Sequence, residues 1–432
     1  DVRPTRKSIA QNLRRLLRSQ KLTSSDIAQR SNLDASTIQQ VLDGEIDLPD
    51  DEAAAIAGAM QRPVDRLQKP KVSSVAISHD GHFALTAVAD DRTVRLWDLE
   101  NLTEIHPDSS PTKPLLELNN RQLWSAAFGN DSETIVTLGG SEARIWNRQT
   151  GKEQLNLSPH GTVVSARFTP DDRHVVTASW DDTAKIWDTS SGLAIRKLAG
   201  QHQGNVNMAL FSPDGKHVLT CSDDRTALLW NAETGEPTGI TLTGHGAAVT
   251  SAAFSLDGSR IVTASRDQCA RVWNSQTGEL IMHLHDPSLP NQQSHELGVL
   301  CVTYFHSSDG DFVATGGEDG TVKIWKAETG ELLKRLDAHT ARVTSVNASP
   351  DGSRLATASQ DTTAKIWDSA RGKEVLTLRG HTQEVTSVTF SPDGQKVLTA
   401  SRDGLAIIWP ADDWENAPTA NTEVTEHETP SL

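Results

Sequence analysis

The sequence predicts an all-β, eight-bladed propeller with four-stranded antiparallel blades, preceded by a small all-α N-terminal domain. Three observations carry that prediction. The first is a recurrent tryptophan at the end of a short apolar stretch: "RLWD", "RIWN", "KIWD", "LLWN", "RVWN", "KIWK", "KIWD" and "IIWP". These place it at Trp97, Trp146, Trp187, Trp230, Trp273, Trp325, Trp367 and Trp409, at intervals of 49, 41, 43, 43, 52, 42 and 42 residues, the spacing of a repeat architecture. The second is what precedes it. "VTSVTFSPDGQKVLTAS" (Val385–Ser401) reads as two alternating strands around a Pro-Asp-Gly turn. The third is the contrast with residues 8–60, where apolar side chains recur at helical spacing.

Within each repeat the hairpin leads to the tryptophan strand. A "TGE" or "RGK" turn then leads to a fourth strand such as "ELLKRL" (Glu331–Leu336). Four such strands cannot bury both faces alone, and stacking around a ring solves this. Residues 72–409 are therefore expected to form the propeller. The first two units are degraded: the one ending at Trp97 has Asp91 but Ala89 and no upstream histidine, and the one ending at Trp146 lacks the histidine and the turn aspartate. Trp409 is followed by "PADDWENAPTAN", which is not strand-like, so the last blade needs an outer strand from elsewhere. Residues 62–71 are expected to be a linker or, through "RPVDRLQKP" (Arg62–Pro70), that closing strand. Residues 410–432 read as an acidic, disordered tail.

Charge narrows the function. The net formal charge is −16, of which residues 1–69, with 11 basic and 10 acidic side chains, carry almost none. So acidic a chain is a poor general binder of nucleic acid, and any such contact must be local. Cys221, Cys269 and Cys301 are too scattered for a disulfide framework or a zinc knuckle, which favours a reducing, cytoplasmic compartment. No apolar stretch is long enough to span a bilayer. No cofactor or metal motif is present, and there is no Walker loop, kinase motif set or HExxH, so an enzyme is not expected. The first residue is Asp rather than Met, and a longer parent chain is the expectation.

The Gly-His pairs Gly244-His245 and Gly380-His381, with the Trp-Asp pairs Trp187-Asp188 and Trp367-Asp368, resemble the signature of the WD-repeat propellers. The resemblance covers roughly residues 72–409 and implies a hydrogen-bonded network of His, Ser/Thr, Asp and Trp inside each blade. The matching residues are His160, Ser179, Asp181 and Trp187; His202, Ser222, Asp224 and Trp230; and His245, Ser265, Asp267 and Trp273. They continue through His339, Ser359, Asp361 and Trp367, then His381, Ser401, Asp403 and Trp409; the Trp325 unit keeps His295 and Asp319 but has Gly317 at the serine position. A catalytic site is assembled once, from dissimilar parts. A network repeated in blade after blade is a packing device for buried polar groups.

The same resemblance places the residue before each turn aspartate near the rim of one face: Asp90, Trp180, Asp223, Arg266, Glu318, Gln360 and Arg402. Trp180 is the expected anchor for a protein or peptide partner. Arg266, Arg342 and Arg402 are expected to form a basic spot suited to an acidic or phosphorylated peptide. "HDPSLPNQQSHELG" (His285–Gly298) reads as an elaborated loop on one face.

In the N-terminal region Ile9, Leu13, Leu16 and Leu17 mark a helix, Thr23 with Asp26 caps a second, and Asp34 caps a third that stops at Gly44. "LTSSDIAQRSNLDASTIQQVLDGE" (Leu22–Glu45) resembles the helix-turn-helix of the phage repressor and Cro-like family. That resemblance implies a domain over residues 1–61 whose Ala35, Ser36, Gln39 and Gln40 face base edges, whose Ser24 approaches a phosphate, and which forms a homodimer. No Arg or Lys lies on the third helix; the cations cluster instead at Arg3, Arg6, Lys7, Arg14, Arg15, Arg18 and Lys21. The reading that follows is a non-enzymatic transcription regulator, a DNA-binding head fused to an interaction platform. The similarity among the repeats resembles bacterial arrays. Two alternatives stand beside it: a pure protein-interaction scaffold whose helical domain is a docking module, and the regulatory part of a longer chain with its enzymatic domain elsewhere.

Overall fold

Every tryptophan strand is the third of a four-stranded antiparallel sheet, and eight such sheets make up the described structure. The computed structural model describes residues 72–89, 92–99, 104–105, 116–119, 123–157 and 161–411, with Ile38 and Gln40. Ser24, Ala35, Ser36, Gln39, Asp90, Asp91 and His160 lie outside the described residues.

The first blade shows the plan: β1 (Val72–Ile77), β2 (Phe83–Val88) and β3 (Thr93–Asp98) pair in sequence, with β5 (Leu116–Asn119) outermost. Burial falls outward across each sheet. Second strands such as His217–Ser222 and Arg260–Ser265 are buried at all but their first residue, whereas the outer strand Glu153–Leu157 is largely exposed. A strand buried on both faces must have neighbours above and below, and the neighbours here are the adjacent blades. Accordingly the core of the described propeller residues is divided into eight clusters, each shared by two blades. In each cluster the tryptophan of one blade packs on the blade before it, as Trp230 does on Val176, Ala178 and Ile186. Trp97 packs on Leu398, Ala400 and Ile408, so the last blade meets the first and the ring is closed.

Side chains at the start of the innermost strands, or just before one at Trp124, stitch neighbouring blades together. Trp124 Nε1 donates to Val163 O at 2.9 Å, Asn207 Nδ2 to Val249 O at 3.3 Å and Thr250 Oγ1 to Val299 O at 2.8 Å. Thr344 Oγ1 reaches Val385 O at 2.6 Å, and Thr386 Oγ1 reaches Val72 O at 3.3 Å across the closing junction.

The closing strand is not the expected one. The outer position beside Ala406–Pro410 is taken by β4 (Glu104–Ile105), with Ala406 opposite Ile105 and Ile407 opposite Glu104. Residues 62–71 lie outside the described residues. The chain leaves β3, crosses to complete the eighth blade, and returns as β5 to complete the first. This excursion accounts for the 49-residue interval between Trp97 and Trp146. Proline at Ile105 is expected to lower stability by about 1 kcal/mol, the value of one net ladder hydrogen bond. Proline at Leu67 is expected to leave that pairing intact, since the position beside Ala406 is filled by Ile105. Urea unfolding of both variants checks the assignment, and the reverse order of effects would contradict it.

Candidate functional site: the loop rim of the propeller

The loops entering the innermost strands and the turns leaving the second strands lie on one face, held together by the histidine network. In the fifth blade His245 Nδ1 is 2.9 Å from Asp267 Oδ2, and its Nε2 is 2.8 Å from Thr263 Oγ1. The same Oγ1 accepts Trp273 Nε1–H at 2.8 Å. Since the indole can only donate, the threonine proton is free for Nε2, which leaves Nδ1–H to donate to the carboxylate. This is a neutral imidazole with both nitrogens occupied. The arrangement recurs at His202–Asp224–Thr220–Trp230, His339–Asp361–Thr357–Trp367 and His381–Asp403–Thr399–Trp409, with His–Asp distances of 2.7, 2.9 and 3.0 Å. His295 makes it with Asp319, Thr315 and Trp325; at Gly317 a serine side chain would run into His295 and Asp319.

The threonine is a residue that the sequence reading missed, although "VTAS", "LTCS", "ATGG", "ATAS" and "LTAS" display it at a fixed position. It also receives the indole in blades one to three, where Trp97, Trp146 and Trp187 donate to Thr86, Thr137 and Thr177. The serines do a different task. Ser222, Ser265, Ser359 and Ser401 donate to the loop carbonyls of Gly204, Ala247, Ala341 and Gln383, and accept the N–H of the turn aspartates. Ser179 accepts the N–H of Asp181, whose Oδ2 accepts that of Gly161.

Burial lowers the pKa of His202, His245 and His295 below 6.5 despite their aspartate partners. For Asp267, burial acts upward but is outweighed by hydrogen bonds from His245, Gly246 and Cys269, leaving it at about 2. The histidines therefore take up protons more readily in the unfolded chain. Their stability contribution is complete above about pH 6.5 and is lost as the pH falls through that value toward the folded pKa values. Thermal melts are expected to be flat from pH 8 to 7 and to decline between about pH 6.5 and 5, before carboxylates titrate. A midpoint constant down to pH 5 would contradict this.

Six rim residues are fixed by one repeated bond. The N–H groups of Trp180, Asp223, Arg266, Glu318, Gln360 and Arg402 donate to the carbonyls of Thr162, Asn205, Ala248, Gly298, Arg342 and Glu384, at 2.8–3.1 Å. Trp180 is 53% exposed. Beside it stands a second residue that the sequence reading missed: Trp124, 37% exposed. Its indole N–H is bound to Val163 O while Trp180 N–H is bound to Thr162 O, so both tryptophans are tied to consecutive carbonyls. Nothing in "RQLWSAAF" distinguishes Trp124 from a core residue. Trp124 stands immediately before the innermost strand Ser125–Phe128, its own N–H donating to Leu138 O at 3.0 Å.

The three arginines do not make a free basic spot. Arg342 Nη2 and Arg402 Nε share Glu384, at 3.4 and 3.2 Å, and a Cβ added at Gly298 would lie 3.2 Å from Arg266 Cα and 3.1 Å from Glu318 Oε2. Arg342 and Arg402 thus face a carboxylate supplied by the rim itself, which weakens the case for an acidic ligand there.

The elaborated loop before the sixth blade is built on a buried ion pair. Lys323 Nζ, wholly buried, bonds the carboxylate of Asp286 and donates to Ser294 O at 2.6 Å. Ser294 and His295 donate their N–H groups to Gln268 O in the fifth blade, and Leu297 emerges exposed beside the rim. On the opposite face, a cleft of about 480 Å³ between blades four and five is lined by His217, Ile240, Phe254 and Asp257 among others. All three cysteines are free, and burial pushes the Cys221 and Cys301 thiols up to about 12. Among the described residues no group of three or more His, Cys, Asp or Glu side chains could hold a metal ion, and no helix is long and apolar enough to cross a membrane.

Comparison with known proteins agrees with this geometry. Residues 62–98, 151–188, 194–231, 236–274, 288–326, 330–368 and 372–410 match the WD domain, G-beta repeat family. The chain belongs to the WD-repeat family. The matches omit the first three strands of the second blade, which the structure nevertheless describes at Ser125–Phe128, Thr134–Gly139 and Glu142–Asn147. The WD-repeat chain is 31% identical over 130 residues to protein tipD of Dictyostelium discoideum, covering 30% of this chain and 20% of that protein. It is 34% identical over 122 residues to GID complex subunit 7 of Schizosaccharomyces pombe, covering 27% and 22%. With THO complex subunit 6 of Arabidopsis thaliana it shares 28% identity over 163 residues, covering 33% and 44%. The chain thus spans less than half the length of these relatives. Among solved structures, the crystal structure of the computationally designed Ika8 protein superimposes with a TM-score of 0.67 at 25% identity, covering 79% of this chain and 97% of that one.

Proposed function

We propose that this WD-repeat chain is a non-enzymatic regulator whose propeller receives a protein partner on the loop rim, in the sector of Trp124 and Trp180. The observation that carries the reading is the exposure of two indoles at one junction, on a backbone fixed by the network beneath. Large aromatic side chains on a rigid frame lose little entropy on binding and dominate interface energetics. The histidine network does no chemistry in this reading, because both ring nitrogens are spent inside the blade. The test is affinity capture of partners with the whole chain and with Trp180→Ala. The substitution is expected to weaken capture at least tenfold, the loss typical of a hot-spot aromatic. Undiminished capture would remove the rim from consideration.

The reading extends to residues 1–61 as a head that binds duplex DNA and dimerises. It is supported by the helix-turn-helix resemblance and by Gln40, exposed on a helix in which Ile38 is fully buried. Selection from a random duplex pool is expected to enrich a palindrome whose affinity falls steeply with salt and is lost on Gln40→Ala. No enrichment at low salt would refute the DNA role and leave the docking-module alternative.

A further inference from the structure

The chemistry of the partner can be read from the charge beside the two tryptophans. Asp223 occupies in the fourth blade the turn position that Trp180 occupies in the third. Its side chain is exposed, and both carboxylate oxygens are oriented by neutral donors: Asn205 Nδ2 on Oδ2 at 3.1 Å and Asn207 Nδ2 on Oδ1 at 2.8 Å. Neutral donors fix the group without cancelling its charge. Among the described residues no cation pairs with Asp223, in contrast to Glu384, which holds two arginines. Turns of neighbouring blades stand side by side on this rim, as the approach of Glu318 and Arg266 to Gly298 shows. Asp182, in the turn of Trp180, is near enough to His202 of the next blade to act on its imidazole.

Resting on the rim reading above, we infer that the Trp124–Trp180–Asp223 sector binds a lysine or arginine side chain of a basic partner segment. The cation lies against an indole face, where the ring quadrupole attracts it, and its N–H groups reach the preoriented carboxylate. Preorganisation matters because Asp223 is already held in the free protein, so little ordering remains on binding. The net charge of −16 acts in the same direction, steering a basic segment toward the disc.

The experiment is selection from a phage-displayed random peptide library with the whole chain, followed by fluorescence anisotropy of the enriched peptides. Peptides anchored by Lys or Arg are expected, with affinity falling about tenfold on Asp223→Asn or Trp180→Ala, retained on Trp180→Phe, and weakening as salt rises. Enriched peptides anchored by Leu, Phe or Glu that respond to Trp180→Ala but not to Asp223→Asn would overturn this inference and leave the rim reading intact. Peptides indifferent to Trp180→Ala, or no enrichment, would overturn both.

Discussion

Replacing Asp286 with alanine is expected to destabilise the propeller by about 3–5 kcal/mol, the cost of leaving a buried charge without its partner. Lys323 is wholly buried and Asp286 nearly so, and without the carboxylate the ammonium keeps only the carbonyl of Ser294. The strand position of Lys323 is cationic in other blades too; Arg95 of the first blade is buried like it, whereas other cations at that position stay closer to water. Arg144 pairs with Glu142 at 2.6 Å and Glu153 at 3.0 Å, and Lys365 with Glu374 at 2.6 Å, all partly exposed. In the sixth blade an inserted loop folds over the cation. The double variant Lys323→Met, Asp286→Leu is expected to recover much of the loss, because no stranded charge remains; the hydrogen bonds from Ser288 to Asp286 are not restored. Burial acts upward on the Asp286 carboxyl, but hydrogen bonds from Lys323 and Ser288 outweigh it and hold it at about 2. A carboxylate depressed in this way contributes fully above its unfolded pKa, near 3.8, and the contribution is lost as the pH falls toward 2. Urea unfolding at neutral pH, with 1 M salt as a control for surface pairs, measures the effect. A loss under about 1 kcal/mol would mean that water reaches Lys323.

Much of this architecture is legible in the sequence because it is periodic. The tryptophan strands, the SPDG hairpins and the histidine–aspartate spacing recur, so errors in one unit are corrected by the others. What is not repeated is not legible. Glu104–Ile105 is two residues long, carries no alternating pattern, and pairs with a strand 300 residues away, so only ring closure reveals it. Trp124 departs from the residues at its position in other blades, Asn207, Thr250, Thr344 and Thr386, and its partner Val163 belongs to the next blade. The threonine between histidine and tryptophan is another case. It is repeated eight times, from Thr86 to Thr399, yet a threonine in a buried strand reads as ordinary β-propensity until its hydroxyl partners are seen. Charge at the rim has a similar history: Arg342 and Arg402 appear basic in one dimension, and Glu384 meets them only in three.

That threonine gives the second large effect. Valine at Thr263 keeps the shape and removes the hydroxyl, leaving His245 Nε2 and Trp273 Nε1 buried without their shared partner. At about 1–3 kcal/mol for each stranded group, the expected loss is roughly 2–6 kcal/mol. Serine at the same position keeps the hydroxyl and is expected to lose about 1 kcal/mol for the missing methyl group. Thr86 supplies the internal comparison, since the first blade has the Trp97 donor and no upstream histidine. Thr86→Val strands one group rather than two, so its loss should be about half that at Thr263. Chemical unfolding of the three variants separates the arms of the network. Equal losses at Thr86 and Thr263 would assign the energy to the indole N–H alone, leaving the histidine to orient the loops that carry the rim. A larger loss at Thr263 ties the rim to the core through the imidazole, so that the position of Arg266 and its neighbours depends on a hydroxyl buried beneath them.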